Sequence, residues 1–340
     1  MTSDMDAASR VSEPAPSGTP RSFRFLRGFL MPLSLLAGLA CVTFILTFLA
    51  PGDPARVILG PNAQENDVAA LREKMGLNRP VAAQFTSYIA GVASGRWGDS
   101  WTTGRPVLRE ISEHLGCTVT LGSLASVFSI AAAIGLNALF IFRPVSSRIV
   151  LPILRFGITV PGVVAAMAAA LFSGRLLTWI GGSGPAGQGL DLLSWLPPAL
   201  AVGIYPACLM TTLLRDRFAQ IQATPYFRAA QASGYSSGDL LKRVLLKNSG
   251  AMLITAWINQ VSLLAFSTII VEHVFSFRGI GSLLVRSIQG KDFPVLSGIV
   301  LLNGLFFLAI QAAGARLADP TLAPRRRLMP QLSPHAQPVS

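Results

Sequence analysis

The residues of this chain that could do chemistry lie where charge is scarce. Glu272 follows the run 248–271, which holds no charged residue. A carboxylate at that depth can meet a solute amine, pair with Arg278 or Arg286, or face water. Asn259, Gln260, Ser262, Ser267 and Thr268 stand inside the same run, and Asn303 and Gln311 stand inside the uncharged run 293–315. Polar side chains at membrane depth turn toward other helices or toward a wet path, where they bond across the bundle or touch a passing solute. Pro161 with Gly162, and Pro197, Pro198 and Pro206, interrupt two further apolar runs. Such breakers are tolerated where neighbours re-satisfy the backbone or where the helix lines a cavity. Pro161, Asn259, Gln260, Ser267 and Glu272 are therefore the candidates for a solute path.

The sequence shows no bond-making machinery. The dipeptide Gly290–Lys291 is followed by Asp292 and has no glycine five positions before Gly290, so no phosphate-binding loop forms there. There is no nucleophile elbow, no zinc-protease helix and no pair of intramembrane aspartates. Cys41, Cys117 and Cys208 sit in or at the edge of apolar runs and read as packing residues. His114, His273 and His335 are scattered without metal-ligand spacing. No catalytic residue, metal or cofactor is assigned: the chain reads as one that passes something on unchanged.

The elements that would position these residues are membrane spans. Of 340 residues 51% are hydrophobic and only 13% charged, with mean hydropathy +0.53, too oily for an ordinary soluble domain. The net charge of +12 would suit a nucleic-acid partner, but the basic residues flank apolar runs instead of forming one stripe, which argues against that partner. Six runs are long enough to cross roughly 30 Å of hydrocarbon: 28–52, 117–142, 149–174 (with Arg155), 192–214, 248–271 and 293–315. Residues 1–27, rich in Ser, Pro, Ala and Arg, read as a disordered tail, and 316–340 as a second tail. Arg155 reaches back toward the headgroups. Basic residues concentrate at 143–148 (Arg143, Arg148), at 215–247 and in Arg325, Arg326 and Arg327, whereas 175–191 holds only Arg175. The positive-inside rule then puts those basic segments and both termini in the cytosol, and 53–116 outside. That outer region carries seven acidic and seven basic residues. It reads as an ordered cap, with a helix at 66–75 closed by Gly76 and an apolar stripe of Val81, Phe85, Tyr88, Ile89 and Val92 lying on the interface or on the spans.

One polar interruption is itself patterned. In 224–250, Thr224 suits an N-cap with Pro225 at the first helical position, and Gly234 suits a stop. Ser236 and Asp239 read as a capping box for a second helix, with Leu240, Leu241, Val244 and Leu245 on one face and Lys242, Arg243 and Lys247 elsewhere. Two short helices bent at a glycine make a rigid cytosolic knob over 226–247, suited to docking.

Here a resemblance enters. Ala229, Ala230 and Gly234, with Val244 and Leu246 beyond, resemble the signature of the permease subunits of bacterial ABC importers, and Arg228 and Lys247 look like the dipeptide, oligopeptide and nickel branch. LAPGDP (Leu49–Pro54), MGLNRPVAAQF (Met75–Phe85) with GRWGDS (Gly95–Ser100), and VEHVFSFRGIGSLLVRSIQGKDFPVLSG (Val271–Gly298) extend the resemblance over most of 30–320. It implies an all-α polytopic membrane protein of six transmembrane helices with the type I ABC importer permease fold, an ABC-type core at 117–315, and a coupling loop at 215–247. It also implies a bacterial inner-membrane location, membrane lipid around the spans, and three kinds of partner: a second homologous permease, two cytosolic ATPase subunits and a periplasmic solute-binding protein. Tyr226, Arg228, Ala229, Ala230, Gly234, Tyr235, Leu240, Leu241 and Arg243 are the residues it implies for ATPase coupling, the bulky ones filling a groove and Gly234 setting the bend. Peptides, glutathione, nickel chelates and opine-like compounds all travel through similar permeases. A secondary transporter, the rival reading, would show internal repeats and coupling-ion carboxylates within the membrane, and neither is visible. A membrane assembly factor would leave the basic two-helix loop without a purpose.

Overall fold

A computed structural model describes residues 21–49, 52–142, 147–179 and 192–318. The tail before residue 21, Arg143, most of the segment 175–191 and the tail from 319 lie outside the described residues. Apolar runs without charge give helices, and among the described residues four continuous helices are long and apolar enough to cross a membrane, or six if two bent pairs each count as one span. The continuous four are α1 (Arg21–Leu49), α5 (Val107–Phe142), α8 (Leu192–Gln222) and α13 (Phe293–Ala318). One bent pair is α6 (Ser147–Thr159) with α7 (Gly162–Trp179), turned through 107° at Pro161. The other runs from α10 (Ser237–Asp239) through a π-helical stretch, Leu240–Leu246, into α11 (Lys247–Val274), and bends by 52° between Leu263 and Ser267. Between them lie the short helices α2 (Pro54–Leu59), α3 (Glu65–Lys74), α4 (Val81–Ala93), α9 (Pro225–Ala232) and α12 (Ile280–Gln289).

Two hydrogen bonds establish the topology. Ser129 donates to Gly203 O at 3.1 Å and Asn137 to Thr211 O at 3.0 Å, each across the same sequence separation of 74. Equal separation at two points means that α5 and α8 run parallel, so α6 and α7 together return across the bundle once. Their contacts with α8 agree: Gly157 of α6 packs on Cys208, and Ala166, Ala169 and Ala170 of α7 pack near Ala199, Ala201 and Val202. The bent pair is therefore one crossing, broken where proline removes a backbone donor.

α1 lies against α13, with Leu36 and Leu39 close to Gly304 and Phe44 and Phe48 sharing a cleft with Phe293 and Leu301. The two are antiparallel. The start of α1 and the end of α13 hence lie at the same end of the bundle as α9 and α10, while α2, α3, α4 and α12 crown the other.

Several boundaries differ from the apolar runs. α1 starts at Arg21, because RSFRFLR interleaves basic and apolar residues that continue a helix into the headgroup zone, so the described part of the expected tail is helical. α5 starts at Val107 and not at Cys117: Val107, Glu110 and Ile111 are all buried, and Glu110 accepts from Thr103 at 2.9 Å and pairs with Arg105 at 3.3 Å. The stripe on α4 packs on span α1, with Phe44 edge-on to Phe85 at 5.2 Å and stacked on Tyr88 at 5.9 Å. The crown is tied to α13 by Asp292, which is 2% exposed. Its carboxylate accepts from Ser100, from Thr102 Oγ1 at 2.6 Å, and from the backbone N–H groups of Trp101 and Thr102 at 3.1 and 3.3 Å.

The α5–α8 contact is too close for a side chain at Gly203, where a Cβ would stand 2.7 Å from the Phe128 ring and 3.2 Å from Ala125 O. Gly203→Val should lower the stability of the detergent-solubilised chain by about 1–3 kcal/mol through overpacking. A denaturation midpoint equal to that of the parent would contradict this packing.

Candidate functional site

The knob at one end is built as its caps dictate. Thr224 Oγ1 accepts from Phe227 N at 3.3 Å, Pro225 occupies the first turn of α9, and Gly234 closes the helix at φ +79°, with Tyr235 N donating to Ala230 O at 3.4 Å. Ser236 Oγ accepts from Asp239 N at 3.2 Å and donates to its carboxylate at 2.8 Å, and Asp239 pairs with Arg243 at 3.1 Å.

The apolar side of the knob is sunk into the bundle. Phe227, Ala230, Leu240, Leu241, Val244 and Leu245 are all buried, in one cluster with Leu214, Phe218 and Ile221 of α8, against which Ile134, Ala138 and Ile141 of α5 pack. This corrects the expectation for Leu240 and Leu241. They do not present themselves to a groove on another molecule, because the second helix continues into α11 without a break and so keeps its oily face on the chain's own core. Ala230 is likewise inside. Left on the surface are Tyr226 (60% exposed), Arg228, Ala229, Gly234, Tyr235 (42%) and Arg243. The π-helical turn under them had no signal in the residue pattern; such insertions recur at functional sites.

Midway along the bundle, the two helix bends meet beside Pro206 of the unbroken α8, around a cavity of about 240 Å³. Val160 and Ala165 line it on either side of the Pro161 break, Tyr205 and Pro206 come from α8, and Gln260, Leu263 and Ser267 come from the bend in α11. Backbone irregularity at membrane depth is stable only where it is buried in protein or borders such a space. Of the path candidates, Gln260 and Ser267 are brought together here, next to the break made by Pro161.

Asn259 and Glu272 are not. Asn259 accepts from Gln311 of α13 at 3.3 Å and so joins two spans. Glu272 takes none of the three courses the sequence left open: it is wholly buried, 0% exposed. Its Oε1 accepts from Thr118 Oγ1 at 2.7 Å and its Oε2 from the N–H groups of Gly281 and Ser282 at 2.7 and 3.3 Å; Thr118 Oγ1 in turn accepts from Ile280 N at 2.8 Å. The carboxylate thus caps α12 from outside, a role its N-cap residue, Gly279, cannot fill. A Cβ on Gly279 would overlap that carboxylate, and one on Gly281 would overlap Ile269, so the Gly-Ile-Gly turn lets α12 fold back on α11. Asp292, the other buried carboxylate with several backbone donors, was missed because its partners lie about 190 residues away.

The profile of the family described as the binding-protein-dependent transport system inner membrane component matches residues 125–323, and that of the N-terminal region of such components matches 22–122. The chain belongs to this family. A probable peptide ABC transporter permease of Sinorhizobium fredii is 29% identical over 290 residues, covering 83% of this chain and 93% of that protein. A glutathione transport system permease of Salmonella choleraesuis is 31% identical over 283 residues, covering 83% and 90%. That of Escherichia coli K12 is 30% identical over 273 residues, covering 79% and 87%. A solved inward-facing methionine ABC transporter overlays with a TM-score of 0.48 at 18% identity, over 62% of this chain and 94% of that one. The protein is thus a multi-pass permease component of the inner membrane, all-α among its described residues, with four continuous spans there and two bent pairs that bring the crossings to six if each counts as one.

Because Glu272 satisfies two backbone donors that would otherwise be buried unpaired, Glu272→Ala should destabilise this permease by about 1–3 kcal/mol per orphaned group. The half-saturation constant of the protein that still assembles should be unchanged. A raised constant at normal stability would return Glu272 to the solute path.

Proposed function

We propose that this permease serves an ATP-driven importer, with the end that carries α9 and α10 in the cytosol, and that Tyr226, Arg228, Ala229, Gly234, Tyr235 and Arg243 form the face on which an ATPase subunit docks. The observation that carries the reading is the two-sided construction of the knob: a polar, aromatic and cationic surface outside, and an apolar side locked into α5 and α8. A surface so mounted cannot shift without moving the spans. Ala230, Leu240 and Leu241 act as its anchors.

The distribution of Lys and Arg supports the cytosolic assignment, and with it both chain ends on that side. ATP hydrolysis belongs to two separate subunits, a second homologous permease completes the membrane pair, and a periplasmic binding protein delivers the solute to the crown formed by α2, α3, α4 and α12. The cargo is a peptide or a peptide-like molecule such as glutathione, the class named for the relatives in Sinorhizobium and Salmonella. The path runs beside the Pro161 break and past Gln260 and Ser267, with alternating access produced by movement about the bends in α6–α7 and α11. For two ligands to shift such an equilibrium, the docked face must hold differential contact energy on the order of 1–3 kcal/mol between the two states.

Gly234 separates geometry from contact. A side chain there would meet nothing within 4 Å, but φ is +79°. A branched residue must therefore distort the turn, at a cost of about 1–3 kcal/mol, whereas asparagine tolerates the conformation. In the reconstituted complex, Gly234→Val should cut solute moved per ATP hydrolysed at least several-fold while Gly234→Asn keeps it near normal. Equal coupling in both variants would remove the turn from the mechanism.

A further inference from the structure

The cavity between the two bends and Pro206 contains one polar group that the fold leaves unsatisfied. Gln260 is 5% exposed, its Oε1 is buried without a hydrogen-bond partner, and its Nε2 donates to no group among the described residues. The adjacent Asn259 shows how a purely structural amide behaves between spans, since it is paired with Gln311. A buried amide oxygen left without a donor costs about 1–3 kcal/mol, a cost removed when a ligand supplies the donor.

The lining decides the chemistry of that ligand. Around Gln260 stand Val160, Ala165, Ala201, Val202, Leu263 and Val271, with the hydroxyls of Tyr205 and Ser267 as the other polar groups of the wall. Ser267 donates to Leu263 O at 3.2 Å, which leaves its oxygen free to accept. Among the described residues, no Asp, Glu, Lys, Arg or His lines the space. The carboxylate of Glu272, one residue beyond Val271, is turned away and occupied in capping α12. A charged amino or carboxyl terminus would therefore enter without a counter-charge, at high cost. A neutral group that donates and accepts at once fits instead. The N–H of a trans peptide bond supplies the donor that Gln260 Oε1 lacks, while its C=O points the opposite way. At about 240 Å³ the space equals roughly eight water volumes, which suits one amide with small flanking groups.

We propose that Gln260 is the residue that recognises a neutral backbone amide of the cargo in transit, its Oε1 accepting the N–H of that amide. This rests on the reading of the chain as a permease for peptide-like solutes, and it assigns that selectivity to a membrane residue in addition to whatever the binding protein selects.

The test uses the assembled complex, with its second permease, ATPase subunits and binding protein, in proteoliposomes. The probes are tetra-L-alanine, whose central amide is separated from each charged terminus by a further peptide unit, and its depsipeptide counterpart, in which oxygen replaces the N–H of that central amide. Any preference imposed by the binding protein is common to all variants and cancels in the ratio between them. Loss of one such hydrogen bond corresponds to roughly tenfold, so the amide-to-ester uptake ratio should fall about tenfold in Gln260→Met and in Gln260→Leu, and should be largely kept in Gln260→Asn. An unchanged ratio in whichever apolar variant assembles with the ATPase overturns the role of Gln260 and leaves the permease reading standing. Uptake of neither compound by the parent complex overturns the peptide cargo, and this inference with it.

Discussion

Inside a bilayer every backbone N–H and C=O must find a partner within the protein, and most of what is particular to this chain follows from how it meets that demand where its helices break. The breaks are not spread evenly. The Pro161 break and the bend between Leu263 and Ser267 fall at one level, around one small cavity that Pro206 of the unbroken α8 also lines. Elsewhere the spans are continuous, and the α5–α8 pair is fixed in parallel register by Ser129 and Asn137 donating into backbone carbonyls of α8. The residues proposed to touch solute sit at the level of the two bends.

The helix that begins at Ser237 links the working parts. Its first turns belong to the knob, its middle carries Gln260 and the bend, and its end carries Glu272, which holds α12 in place through two backbone N–H groups. From α12 the connection passes through Asp292 to the loop at 100–102 and so to the crown. A displacement applied at the knob therefore has a contiguous, hydrogen-bonded route to the opposite end, with one bend along it. Contiguity of this kind permits coupling; it becomes mechanism only if the two ends bias the same pair of states.

Much of this was legible in the residues. Runs without charge located the six crossings, caps at Thr224 and Ser236 located α9 and α10, and Gly234 located the turn between them, because each depends on neighbours in sequence. What escaped depends on contacts across the fold. The early start of α5 needs the burial of Val107 and Ile111 under α12. The inward position of Leu240 and Leu241 needs α8. Glu272 looked like a membrane-edge carboxylate that would meet a cation or face water, since nothing local says that Thr118, about 150 residues away, and the turn at Gly279–Gly281 would enclose it. Asn259 and Gln260 are adjacent and chemically alike, and only packing tells the paired one from the unpaired one.

The central claim, that the exposed face of the α9–α10 knob is where an energy-supplying subunit grips the spans, is tested most directly by placing a photo-reactive side chain at Tyr235 and, for comparison, at Ser112 on the opposite end. Irradiation of the assembled complex should join Tyr235 to an ATPase subunit and Ser112 to none. Cross-linking of the ATPase at Ser112, or at neither position, would contradict the account.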